Sequence, residues 1–192
     1  MRVFVGIGLD RGMKDSLSAA ALQAQELFPG RYAVRDNYHC TLQFIGQADT
    51  AAVLLIEKAM KDAAGQIDPF SIMLTGLSFF RRPQDAVLFC GLAKSPPLER
   101  LASDLKERLI RAGFRLEDGA FHPHITLARQ ARLDPVSLSM IPVAPASQQV
   151  EEITLFESCR VEEQLRYVPL MRCPLVNSTG AAGHRAVICN IL

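Results

Sequence analysis

A tetrapeptide occurs twice in this chain, as His39-Cys40-Thr41-Leu42 and as His124-Ile125-Thr126-Leu127. The copies start 85 residues apart, and Phe4-Val5-Gly6-Ile7 and Phe89-Cys90-Gly91-Leu92 share that offset. In both places a strand-like segment leads to a helix-like one and then to a strand carrying His-x-Thr-Leu. This recurrence reads as an internal duplication covering about 3–46 and 88–131. A duplication of that size predicts two similar lobes facing each other across a cleft, where ligand sites tend to form.

Local patterning agrees. Residues 2–9 read as a strand and 16–28 as a helix stopped by Pro29-Gly30. A short strand over 32–34 and a firmer one over 39–45 precede a helix over 50–64, which ends before Gly65. Residues 70–80 and 86–92 pair across the turn Arg81-Arg82-Pro83-Gln84-Asp85. Ser95-Pro96-Pro97 opens a third helix, with Leu98, Leu101, Leu105 and Leu109 at helical spacing. A strand over 124–128, a Pro- and Ser-rich stretch over 134–147 and a hairpin over 150–158 and 165–171 complete the pattern. The expected fold is α+β, with two pseudo-symmetric lobes, each an antiparallel sheet with two helices, flanking a central cleft. Residues 1–175 read as one domain, and 176–192 as a C-terminal extension of unknown role in which His184 is incidental.

Composition narrows the classes. A formal charge of +1 argues against a broad nucleic-acid coat but leaves room for a local basic cleft. Arginines gather modestly at 31/35, 81/82 and 129/132, most of them readable as solvated surface. Five cysteines with no CxxC pair give neither a disulfide framework nor a zinc site. No apolar run approaches the roughly 20 residues of a membrane helix, and a cytoplasmic, monomeric protein is expected.

Alternation along a strand points the His and Thr of each copy the same way, so two such strands brought together surround one small volume with two imidazoles and two hydroxyls. A lone His-x-Thr in a strand is ordinarily structural. Two in equivalent positions are harder to explain that way, because each buried imidazole must be satisfied. With an unperturbed pKa of about 6.5, one ring can accept a proton while the other donates one. Thr41 and Thr126 can donate hydrogen bonds to phosphate oxygens as charge develops. No metal is needed for such chemistry. His122-Pro123-His124 lacks an acidic or Cys partner at ligand spacing, and Gly6-Ile7-Gly8 lacks the third glycine of a dinucleotide fingerprint. Phe79, Phe80, Arg81 and Arg82 can equally be a nucleic-acid contact or ordinary hairpin residues.

The stretches Arg35–Gly46, Phe121–Arg129 and Ile153–Ser158 resemble the 2H phosphoesterases, and within them the bacterial and archaeal RNA 2′,3′-cyclic phosphodiesterases, also called the 2′–5′ RNA ligase family. The resemblance implies hydrolysis of RNA or nucleotide 2′,3′-cyclic phosphates to 2′-phosphomonoesters without a cofactor. It implies His39 as proton donor and His124 as proton acceptor; the residues themselves do not distinguish the two rings. Implied partners are RNA 3′ ends, such as tRNA-like fragments, or small cyclic nucleotides, with no membrane. Cleavage or reversible joining of 2′–5′ links is an alternative, and a non-catalytic RNA-end binder is another. Cys40 stands where the family has a bulky aliphatic residue and, facing away from His39, bears on packing. Arg129 is a candidate phosphate ligand, but simple alternation puts it on the face opposite His124 and Thr126, unless the strand twists or ends there.

Overall fold

The computed structural model describes residues 1–162, 164–176 and the backbone of 190–191. His184, Cys189 and most of the C-terminal extension lie outside the described residues.

The apolar run at the start forms β1 (Arg2–Gly8), buried from Val3 to Ile7. Asp10 then starts α1 (Arg11–Leu27), its carboxylate accepting the Met13 N–H at 2.8 Å. This helix begins five residues earlier than the sequence predicts, because the Asp10 cap satisfies an end N–H and offsets the weak helix propensity of Gly12. Next come β2 (Arg31–Tyr32), a 3-10 turn (Arg35–Asn37), β3 (His39–Gln47) and α2 (Thr50–Ala64), which is capped by Asp49 on Ala52 N–H. β4 (Phe70–Arg81) and β5 (Ala86–Leu92) form a hairpin. α3 (Pro96–Arg111) and β6 (His124–Ala131) follow. The stretch read as Pro- and Ser-rich holds α4 (Pro135–Ser139), capped by Asp134, and the start of β7 (Ser147–Val150). β8 (Glu152–Val161), β9 (Gln164–Pro174) and β10 (Asn190–Ile191) complete the chain.

All these pairings are antiparallel, and the main path runs β10-β9-β8-β1-β3-β6-β5-β4-β7, with β2 added against β6. The strand predicted over 150–158 divides at Glu151: β7 pairs with β4 while β8 pairs with β1 and β9, at opposite ends of the path. β3 and β6 lie at the middle of this path, flanked by β1-β8-β9 and β5-β4-β7, with β10 added beyond β9. Those two strands share one bridge pair, Cys40 with Ile125, and each is flanked by its own half-sheet. Apolar side chains of α1 and α3 (Met13, Leu17, Leu98, Leu105) bury one face against Val5, Cys40, Leu88 and Ile125. Across that core, β3 and β6 turn His39, Thr41, His124 and Thr126 to the other face, where all four are half-buried.

The two halves are similar but not in strict register. α1 and α3 begin 85 residues apart, as do α2 and α4. Across the sheet, however, Gly8 lies opposite His39 and Gly91 opposite His124, a separation of 83. The Phe4–Ile7 and Phe89–Leu92 strings are therefore displaced by two positions in the pairing, which keeps each side chain on its face.

Candidate active site

The two histidines are held alike. The Nδ1–H of His39 donates to the backbone oxygen of Asn37 at 2.7 Å, and that of His124 to the oxygen of His122 at 2.7 Å. A carbonyl can only accept, so each neutral ring carries its hydrogen on Nδ1 and leaves Nε2 as the basic nitrogen. Thr41 Oγ1 lies 2.9 Å from His39 Nε2 and donates to it in that tautomer.

Aromatic rings wall both imidazoles. His39 sits 4.6 Å from Phe4 and 4.9 Å edge-on from Tyr167. His124 sits 5.1 Å from Phe80 and 5.3 Å from Phe89. Phe80 stacks on Phe89 at 4.3 Å, so this phenylalanine of the 79/80 pair belongs to the wall of the site. Asn37 fixes the approach to His39: its amide donates to Leu165 O at 2.8 Å and its Oδ1 accepts from Tyr167 N at 3.2 Å. Beside His39 a cavity of about 450 Å³ is lined by Tyr167, Phe156, Thr154, Asn37 and Arg172, among others.

Arg129 breaks the alternation argument. Phe89 pairs with Thr126 but Leu88 with Ala128, so Leu127 is an extra residue, a β-bulge, and both Leu127 and Ala128 turn into the core. The extra residue reverses the alternation that follows it, which brings Arg129 to the side of His124 and Thr126, before a second shift at Gln130 returns Ala131 to the core. Its guanidinium acts electrostatically on both His39 and His124. β3 carries a matching bulge at Leu42, and there Phe44 takes the corresponding place.

Residues 13–162 match the family model of the 2′-5′ RNA ligase superfamily. The chain belongs to that family. It is 30% identical over 159 residues to an RNA 2′,3′-cyclic phosphodiesterase of Bacillus subtilis, covering 80% of this chain and 86% of that one. A relative with the same name from Escherichia coli is 33% identical over 147 residues, covering 76% and 80%. The E. coli LigT structure solved with 3′-AMP superposes with a TM-score of 0.71 at 29% identity, over 92% of this chain and 98% of that one. The apo form gives 0.68 over the same shares.

In this member of the superfamily, burial is the first influence on the site's ionisation. It pushes His39 down to about 4, with the charges of His124 and Arg129 acting the same way and the Asn37 carbonyl opposing. His124 is lowered for the same leading reason, followed by its His122 carbonyl, which opposes, and by Arg129. Both rings are thus neutral at pH 7 in the free protein. Cys40 is fully buried behind the site, its thiol pushed up to about 12, and it packs the core as its orientation predicts. Among the described residues no group of three or more His, Cys, Asp or Glu is placed to hold a metal ion, and no helix is long and apolar enough to cross a membrane. Sequence reasoning left Asn37, Phe4, Phe89, Phe156 and Tyr167 without a role; only their closeness to the motifs marked the first, and nothing marked the last.

Proposed function

We propose that this chain opens 2′,3′-cyclic phosphates at the ends of RNA, or on nucleotides, to 2′-phosphomonoesters, with His39, Thr41, His124, Thr126 and Arg129 as its site. The observation that carries the reading is the matched Nδ1 anchoring, which presents the Nε2 of each ring for proton transfer. The relatives named for this activity support it.

Water attacks phosphorus and gives its proton to His124 Nε2. The bond from phosphorus to O3′ breaks, and His39 Nε2–H protonates the departing oxygen, leaving the phosphate on O2′. His124 has no protein partner on Nε2 among the described residues, which suits the base, whereas Thr41 already engages His39 Nε2. A ring held near 4 is a strong acid once protonated, and the anionic phosphate entering between the rings supplies the charge that favours this protonation. Thr126 and Arg129 hold the non-bridging oxygens. Thr41 joins them when its histidine takes up a proton. The nucleoside bearing the leaving oxygen occupies the cavity beside His39, whose volume is in the range of small-ligand sites. The halves descend, in this reading, from one duplicated module, since the cap positions Asp49 and Asp134 also keep the 85-residue offset.

The test is turnover of 2′,3′-cyclic AMP with chelator present, followed by identification of the product. A 2′-phosphate is expected, with losses of about 10²–10⁴-fold in His39→Ala and His124→Ala. A 3′-phosphate product, or wild-type rates in either variant, overturns the mechanism.

A further inference from the structure

Five arginines run from the site to the tip of the β4–β5 hairpin. Arg129 stands at the site and lies directly opposite Arg31 of β2, so both guanidinium groups leave the sheet on one face. Arg132 follows on the same chain, tied to Pro29 O through its backbone N–H at 3.0 Å. Ala131 pairs with Ala86 at the hairpin base, where Arg132, Arg81 and Arg82 surround a cavity of about 610 Å³ floored by Phe28, Phe79 and Leu133.

All five side chains are exposed, and none makes an ion pair or side-chain hydrogen bond among the described residues. Elsewhere among the described residues Arg11, Arg35, Arg108, Arg111, Arg166 and Arg172 are paired with carboxylates, and Arg2, Arg100, Arg115 and Arg160, which are not, lie scattered rather than in a row. Arg81 lies 5.8 Å over the Phe79 ring. Two acids line the same cavity. Asp134 is engaged by Ser137 N–H and Oγ at 2.9 and 2.6 Å, and Asp85 sits in the hairpin turn, so arginine outnumbers carboxylate there. Unpaired guanidinium groups beside an aromatic ring suit the phosphates and bases of a single strand.

We infer that this arginine track is a second binding surface that holds the RNA chain upstream of the reacting end, making a polynucleotide a better substrate than a cyclic mononucleotide. The inference rests on the proposed activity. Distance supplies the discrimination: Thr126 and Ala131 pair with Phe89 and Ala86, about 10 Å apart along β5 at about 3.3 Å per residue, and Arg132 and the hairpin arginines lie farther still, beyond one nucleotide seated between the histidines.

The experiment compares 2′,3′-cyclic AMP with a ten-nucleotide RNA ending in a 2′,3′-cyclic phosphate, using wild type and the triple variant Arg81→Ala/Arg82→Ala/Arg132→Ala across a salt series. Wild type is expected to show the higher kcat/KM on the RNA, declining with salt. The variant should lose about 10–100-fold on the RNA, through KM, and its log–log salt slope should fall by about 2, at roughly 0.7 per lost phosphate contact. Its kcat/KM on the mononucleotide should stay within about twofold. Unchanged RNA kinetics, or equal losses on both substrates, overturns the track. If wild type turns over neither substrate, the proposed activity fails. Fluorescence anisotropy with a labelled ten-nucleotide RNA 3′-phosphate then decides the track alone: weaker, less salt-sensitive binding by the variant supports it, and equal binding overturns it.

Discussion

Asn37 holds His39 from two residues upstream: its backbone oxygen takes the ring's Nδ1–H at 2.7 Å while its own amide bridges to Leu165 and Tyr167 of β9. The ring is thereby tied to the strand that carries its edge-on neighbour Tyr167. Asn37→Ala keeps the carbonyl but releases the tether. The expected cost is about 1–3 kcal/mol of stability for the lost buried hydrogen bonds. Loss of aim should lower kcat by up to about 10²-fold. Urea unfolding and steady-state kinetics check both, and Asn37→Asp, which keeps the acceptor for Tyr167 N–H, should recover part.

Burial of His39 links folding to pH. Its pKa falls from 6.5 in the unfolded chain to about 4 in the native one. Between those values the unfolded chain binds the proton and the native protein does not, so stability is full above 6.5 and declines as pH falls toward 4. The decline amounts to at most about 3 kcal/mol. Urea midpoints at pH 7 and 4.5 should differ by less in His39→Gln than in wild type.

Arg129 acts on both imidazoles and, in the proposed mechanism, also holds a phosphate oxygen. Arg129→Ala should lower kcat/KM by about 10²-fold, the scale of a lost charged contact to a transition-state oxygen. Its cation lowers both histidine pKa values, so its removal should move both upward. NMR titration of the ring protons measures the shift. Arg129→Lys should restore the titration more fully than the rate, because an ammonium keeps the charge but not the fork.

Gly6 lies opposite Thr41, and a Cβ there would meet Cys40 O at 2.8 Å and His39 Cδ2 at 3.5 Å. The first contact is with backbone and cannot turn aside. Gly6→Ala should push β1 away from β3, costing about 1–3 kcal/mol as overpacking does, and should reduce activity by displacing His39. Thermal unfolding and kcat on a cyclic nucleotide check it. Gly8→Ala, with nothing within 4 Å of its Cβ, is the control.

That the two histidines and their threonines share one face was legible because a repeated string in strand context specifies side-chain direction, and the fold class followed from the same repeat. Arg129 was misplaced because alternation counts residues, while a bulge at Leu127 is decided by pairing between strands that local sequence does not encode. The first turn of α1 was hidden for a related reason: charged residues from Asp10 to Asp15 carry no apolar periodicity, and only the fold shows Asp10 capping a helix there. Val150, the last residue of β7, read as the start of the strand that is β8, because a single residue, Glu151, separates the two, and only the curl of the whole sheet sends them to different partners. Asn37 and Tyr167 meet across 130 positions, a separation at which no motif speaks.

The two strands that carry the histidines, β3 and β6, are bridged by one pair, Cys40 with Ile125, on the core side of the sheet. Core volume at that pair therefore bears on the gap between the two rings, as on the jaw of a wrench. A larger aliphatic residue in place of Cys40 would act as a shim under one jaw, resetting the gap while leaving every group that faces the substrate unchanged.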